Sequence, residues 1–223
     1  MDNKISIVIP AYLPSQSYYS FLDYAIESIY KQTYKNFVIT IVFNGPFFKN
    51  YNNVQSIVLP HKTSAAVARN IGASLNWNSD YLCFLDADDA FVEHKLETQL
   101  QTCNNENLDF CFTDSKIIDE NNTVLGKYKI NSLAYENEEI KKILPYENVL
   151  ITSTSMIKTT SFFKAGMFVA ANEYGIKDPS TQKNEYGNYF EDYYLWITAI
   201  NNFKFKKIQQ DLCLYRKNTS VER

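Results

Sequence analysis

The stretch Tyr81–Ala90, "YLCFLDADDA", runs five mostly apolar residues into three aspartates, Asp86, Asp88 and Asp89, within four positions. Carboxylates packed so closely repel one another and resist desolvation, so a fold that keeps them offsets the charge with a cation or with solvent. Asp86 and Asp88, separated by Ala87, offer the oxygen ligands that hard cations such as Mg²⁺ or Mn²⁺ prefer, and a metal held there can neutralise a diphosphate leaving group. A single aspartate in this place would be read as a cap for the helix entered near Val92; three at a buried strand end favour metal ligation.

A second constellation is "YFEDYYLWITAI" at 189–200. Leu195, Trp196, Ala199 and Ile200 form a helical core stripe, and Glu191 and Asp192 stand at its start, where acidic residues are favoured by the helix end itself. Asp192 is nonetheless the best-placed general base in the chain. Arg69, in "SAAVARNIGASL", carries a planar guanidinium that suits an aspartate or a diphosphate, although alone it would be a solvated helix arginine. With only His61 and His94, no GxSxG elbow and no metal-spaced histidine pair, hydrolase and zinc chemistries have little support. GxGxxG and GKS/T loops are also absent, so a bound nucleotide's phosphates fall to Asp86 and Asp88 acting through a divalent metal.

The elements that must position these groups follow from apolar periodicity. Residues 5–9, 37–43, 56–59, 81–85 and 109–113 are β-branched or aromatic runs without polar alternation, the pattern of strands buried on both faces of a parallel sheet. Helical patterns lie between them: Phe21, Leu22, Ala25, Ile26 and Ile29 share one face, Val67, Ile71 and Leu75 another, and "VEHKLETQLQ" is rich in helix formers. The alternation predicts an α/β fold with a mixed, mostly parallel sheet flanked by helices. Ligands of such sheets bind beyond the carboxyl ends of the strands, here "PAY" at 10–12, "NGP" at 44–46 and "DADD" at 86–89. After residue 115 the rhythm loosens into a polar segment (119–142), then "VLITSTSMI", a short helix near 159–166, a loop at 172–190 and a helix over 192–202. A single domain over 1–223 is expected, with residues 1–115 and 116–223 as its two functional halves.

The 223 residues, 45% hydrophobic and 15% aromatic, suffice for a sizeable core. A net charge of -3, with Lys204, Lys206 and Lys207 as the one local basic patch, excludes nucleic acid as an expected partner. Cys83, Cys103, Cys111 and Cys213 form no CxxC pair and read as buried reduced thiols, which suits the cytoplasm. No apolar run approaches a membrane span and no secretory leader is recognisable, so a soluble protein is expected, with room for peripheral contact at the inner face of the cell membrane.

"SIVIPAY", "SIYKQTYKNFVITIVFNGP", "AAVARNIGASL", "FLDADD", "FEDYYLW" and "CLYRK" occur in the order and approximate spacing of the family 2 glycosyltransferases, and over residues 4–217 the chain resembles that family. The resemblance implies a GT-A fold, the Rossmann-like nucleotide-diphospho-sugar transferase architecture. It also implies that Pro10, Ala11 and Tyr12 wrap the nucleoside, that Arg69 supports the aspartate and diphosphate region, and that Asp86, Ala87 and Asp88 form a D-x-D motif, one aspartate touching ribose and one the metal. Asp192 of the Glu191–Asp192 pair is implied as the base of a single inverting displacement. The donor expected is a nucleotide sugar, most simply a UDP-sugar, and the acceptor a glycan or lipid-linked saccharide of bacterial surface polysaccharide.

Two departures stand out. Where the family commonly has an acidic pair this chain has Phe43 and Asn44, of which Asn44 retains the ability to hydrogen-bond a base edge. Where many members place a histidine after the Tyr-Arg step it has Asn218. These departures carry the alternative of a catalytically degenerate nucleotide-sugar-binding module. A sugar-phosphate nucleotidyltransferase is set aside, because "IPAYLPSQS" contains neither glycine nor a basic residue.

Overall fold

Strand β1 (Ile5–Ala11) is buried along its whole length, in keeping with an Ile/Val-rich run whose one polar residue is Ser6. In this computed structural model, which describes residues 3–128, 134–169 and 191–217, β1 pairs in parallel with β2 (Phe37–Phe43) on one side and β4 (Tyr81–Phe84) on the other. The loop read at 172–190 and Asn218 lie outside the described residues. Strand β3 (Val54–Val58) continues the parallel pairing beyond β2. The remaining strands are β5 (Ala90–Phe91), β6 (Phe110–Ile118), β7 (Val124–Lys127), β8 (Met156–Lys158) and β9 (Phe205–Arg216). The sheet order is β3-β2-β1-β4-β8-β6-β9-β5, with β7 paired to β6. Strands β8, β5 and β7 run against their neighbours, while β6 and β9 are parallel to each other. The chain winds outward from β1 to β3 and then returns to place β4 on the opposite side of β1, so a topological switch point opens beyond the carboxyl ends of β1 and β4.

Alternation along β1 divides the core between two faces. Ile5, Ile7 and Ile9 meet helix α1 (Tyr19–Tyr30), whose buried face is Leu22, Ala25, Ile26 and Ile29 as the periodicity predicts. Helix α3 (Lys95–Glu106) packs on the same side through Leu96, Leu100 and Cys103. Val8, Leu82 and Phe84 point the other way, into a second cluster. There Phe162 of helix α5 (Thr159–Lys164) meets Phe84 at 5.3 Å between centroids, Phe110 stacks on Phe205 at 4.4 Å, and Trp196 of helix α6 (Glu191–Ala199) lies edge-on to Phe112 at 5.0 Å. That aromatic wedge fixes α6 on the sheet and thereby the place of its first residues.

Helix α2 (Ala65–Leu75) reverses the expectation for its faces. Val67, Ile71 and Leu75 do share a side, but it looks outward over a shallow groove with Ile57, and Leu75 is exposed. Ala66, Ala68, Arg69, Gly72 and Ala73 face inward instead. Close approach is the cause: a Cβ on Gly72 would stand 2.3 Å from Val8 Cγ1, so only a small-residue face fits against β1.

The described parts of the polar segment 119–142, residues 119–128 and 134–142, carry regular structure despite their polarity. They contain β7 and helix α4 (Asn137–Ile143), which opens with a capping box between Glu136 and Glu139. The long strand β9 runs through a segment whose charged and amide residues show no strand periodicity. All four cysteines are free and buried, as expected. Among the described residues no helix is long and apolar enough to cross a membrane.

Candidate active site

At the end of β1, Pro10 and Ala11 are buried within the sheet and Tyr12 emerges into solvent. The ammonium of Lys62 sits 4.3 Å from the Tyr12 ring centroid. Phe43 is fully buried core, and Asn44 is a brace: its backbone N–H donates to the Ala11 carbonyl and its side-chain amide to the Thr63 carbonyl, both at 3.0 Å. Gly45 lets the two loops touch, since a Cβ there would lie 2.9 Å from the Leu13 nitrogen and 3.0 Å from Tyr12 Cδ2. "PAY" and "NGP" thus form one continuous wall at the switch point.

The aspartates follow β4, the parallel neighbour of β1 on its other side. Asp89 N–H closes a turn onto the Asp86 carbonyl, while α3 begins only at Lys95 behind His94, so none of the three caps a helix. Asp89 is buried and accepts the Arg216 backbone N–H at 2.8 Å. Arg216, itself fully buried, donates from Nε to the Asp88 carbonyl at 2.7 Å and from its terminal nitrogens to the Asp119 carbonyl and Asn122 Oδ1, with its guanidinium over the Phe21 ring. Burial, then the neighbouring charges of Asp88 and Asp86, push Asp89 well above the usual carboxylate range. Asp86 and Asp88 remain partly exposed.

Arg69 joins the aspartate turn to the start of α6. Its two terminal nitrogens donate to Asp86 Oδ1 at 2.6 Å and to Glu191 Oε1 at 2.7 Å, and its guanidinium faces the Phe168 ring at 5.4 Å. Burial alone would lower the guanidinium, but the charges of Asp86 and Glu191 outweigh it and hold its pKa above the ordinary value. Glu191 is lifted by burial, with Arg69 opposing and Asp192 adding to the rise. Asp192 accepts the Tyr193 N–H on Oδ1 at 2.6 Å and the Thr152 hydroxyl on Oδ2 at 2.8 Å. Burial raises its pKa too, and the Thr152 hydrogen bond and Arg69 counter that rise.

The sequence singled out Asp86, Asp88, Arg69, Glu191 and Asp192, and the fold brings them together. It did not single out Arg216, Asp89's burial, or the 3₁₀ turn Thr152–Thr154, where the Ser153 hydroxyl accepts Asp86 N–H at 3.1 Å. Its signal is a run of four hydroxyl residues between apolar "VLI" and "MI", whose meaning depends on what the fold lays beside it.

Five carboxyl groups, Asp86, Asp88, Asp89, Glu191 and Asp192, here meet two guanidinium groups, Arg69 and Arg216, a surplus of acid that suits a bound cation. Among the described residues no group of three or more histidine, cysteine or acidic side chains is arranged to hold a metal. A hard cation at Asp86 and Asp88 would therefore complete its shell with water and phosphate oxygens, the habit of Mg²⁺.

Residues 6–168 match the family model for glycosyl transferase family 2. The chain belongs to that family. This family 2 glycosyltransferase is 30% identical over 226 residues to an uncharacterized glycosyltransferase, MJ1057, of Methanocaldococcus jannaschii, covering 95% of the chain and 70% of the relative. It is 24% identical to the UDP-Glc:alpha-D-GlcNAc-diphosphoundecaprenol beta-1,3-glucosyltransferase WfgD of Escherichia coli, covering 94% of the chain and 84% of that protein. In two Rickettsia relatives it spans 24% and 33% of their length. Its fold matches the crystal structure of Staphylococcus aureus TarS residues 1–349 in complex with UDP-GlcNAc with a TM-score of 0.72 at 13% identity, over 98% of this chain and 60% of that one. The architecture is the GT-A fold.

Proposed function

We propose that the protein is an inverting glycosyltransferase that moves a sugar from a UDP-sugar to a hydroxyl of a glycan or lipid-linked saccharide in surface polysaccharide assembly. The observation that supports this reading is the Asp86–Arg69–Glu191 link, which joins the turn after β4 to the start of α6, where Asp192 stands. Tyr12, with Pro10, Ala11 and Asn44 behind it, would receive the nucleoside. Asp192 would take the proton of the acceptor hydroxyl as its oxygen bonds to the anomeric carbon, while the bond from that carbon to the diphosphate oxygen breaks on the opposite side. A divalent cation held by Asp86 and Asp88 would neutralise the negative charge that develops on the departing diphosphate. WfgD is named for a UDP-Glc donor and a diphosphoundecaprenol acceptor, and TarS is solved with UDP-GlcNAc, which supports the donor and acceptor classes.

Titration of the protein with UDP, GDP and their sugars by calorimetry, with and without Mn²⁺ and with Asp88→Ala in parallel, tests the reading. Binding of a uridine nucleotide that needs the metal and is lost in the variant is expected. Binding indifferent to metal and to Asp88 overturns the metal-assisted reading, and binding without any sugar release or transfer returns the degenerate module.

A further inference from the structure

The 3₁₀ turn Thr152–Thr154 is held from beneath by α3. Gln99 Nε2 donates to the Thr154 carbonyl at 2.9 Å and to the Cys111 carbonyl at 3.0 Å, and the fully buried Lys95 ammonium reaches the Ser155 carbonyl at 3.2 Å. The Thr154 hydroxyl donates to the Ile151 carbonyl and the Ser155 hydroxyl to the Thr152 carbonyl, so both are satisfied within the turn itself. The other two hydroxyls bond to separate segments outside the turn. Ser153 takes the Asp86 N–H, and Thr152, 4% exposed, donates to Asp192 Oδ2 across 40 residues of sequence.

We infer that Thr152 is a positioning residue for the base, resting on the assignment of Asp192 as that base: its hydroxyl fixes the rotation of the Asp192 carboxylate and favours its ionised form. Two features point this way. Among the described residues Asp192 Oδ1 is tied only to the N–H of the next residue, a contact that leaves the carboxylate's tilt unset. Among the described residues Thr152 is the one side chain that donates a hydrogen bond to Asp192, and the turn that carries it is anchored independently of α6. A donor aimed at a carboxylate favours its charged form, opposing the burial that disfavours it. The other groups that face Asp192 are Arg69 from α2, Glu191 beside it on α6 and Asp86 from the turn after β4.

The test is UDP release from UDP-glucose and UDP-GlcNAc with Mn²⁺, water standing in for the acceptor hydroxyl, in the wild type, Asp192→Asn, Thr152→Val and Thr152→Ser. Release abolished in Asp192→Asn is the condition for the base assignment. Thr152→Val is expected to lower kcat about tenfold, part of the roughly 10²–10⁴-fold that a positioned base supplies, with donor KM unchanged. Its acidic limb should move to higher pH, and Thr152→Ser, which keeps the hydroxyl, should stay within about twofold of wild type. Thr152→Ala reads the same effect if the valine variant folds poorly. Release lost in Asp192→Asn but untouched by Thr152→Val overturns the positioning role alone, as does a serine variant as slow as valine, or a change confined to KM. No release from the wild type, or release that survives Asp192→Asn, removes the base assignment and the positioning role with it.

Discussion

Replacing Arg69 with methionine keeps much of the side-chain volume and removes the charge that Asp86 and Glu191 share. The two arms are unequal. Glu191 is 8% exposed and Asp86 34%, so Asp86 can turn to water and its arm counts for about 1 kcal/mol or less. Glu191 cannot, and a carboxylate stranded in the core escapes by taking up a proton. That escape sets a ceiling: protonating an unfolded glutamate costs about 1.36 kcal/mol for each pH unit above its ordinary value, or about 3.7 kcal/mol at pH 7. The figure agrees with the roughly 3–5 kcal/mol found when one partner of a buried pair is removed. For a chain of this size the loss translates to a fall in Tm of about 7–14 °C at neutral pH. At pH 5 the same ceiling is only about 1 kcal/mol. Thermal unfolding followed by circular dichroism at both pH values, with Glu191→Gln added to the methionine background, makes the measurement. A loss that is equal at the two pH values, or that Glu191→Gln does not relieve, would show that Arg69 acts through packing against Phe168 and refute the electrostatic argument.

Two other outcomes follow from the geometry. Gly72→Ala should destabilise by about 1–3 kcal/mol from overpacking against Val8, despite the roughly 1 kcal/mol by which alanine favours a helix; a urea midpoint that rises instead would contradict the close approach of α2 to β1. Because burial lifts Glu191 and Asp192 above their unfolded values, the stability they contribute is complete below the unfolded carboxylate range and is lost as pH rises through their folded values. The same protonation silences the base, so kcat should fall on acidification at a higher pH than a solvated aspartate would give, while these two groups add stability; rate and Tm profiles from about pH 4 to 8 check both signs.

The sequence made the strands of the first half legible because they are buried on both faces and need no polar alternation, and α1 because its stripe follows a 3.6-residue period. The three aspartates were legible as a site for the same reason they are costly: no core keeps them without use. Arg69 was legible as a candidate but its burial between two carboxylates was not, since its direction depends on which face of α2 meets the sheet, and that is settled by the contact of Gly72 with Val8 rather than by the Val67, Ile71 and Leu75 stripe. Strand β9 was hidden by Lys206, Lys207, Gln209, Gln210 and Asp211. Their charges are answered from other elements, Lys206 by Glu106 at 2.8 Å and the buried Lys207 by Asp114 at 3.3 Å, partners that no local window contains. The hydroxyl turn and Arg216 belong to the same class: side chains whose role is set by residues about 40 and 130 positions away.

The place of β9 bears on how the protein is made. The last described strand is inserted between β6 and β5 rather than added at an edge, and its final residue, Arg216, ties down the Asp88 carbonyl and the Asp89 carboxylate. While a nascent chain is still attached to the ribosome, everything through α6 can exist with the edge of β6 bare and the aspartate turn unsupported. Support for the aspartate turn therefore waits on the synthesis and docking of β9, and until then the open flank of β6 is the surface that a chaperone would need to cover.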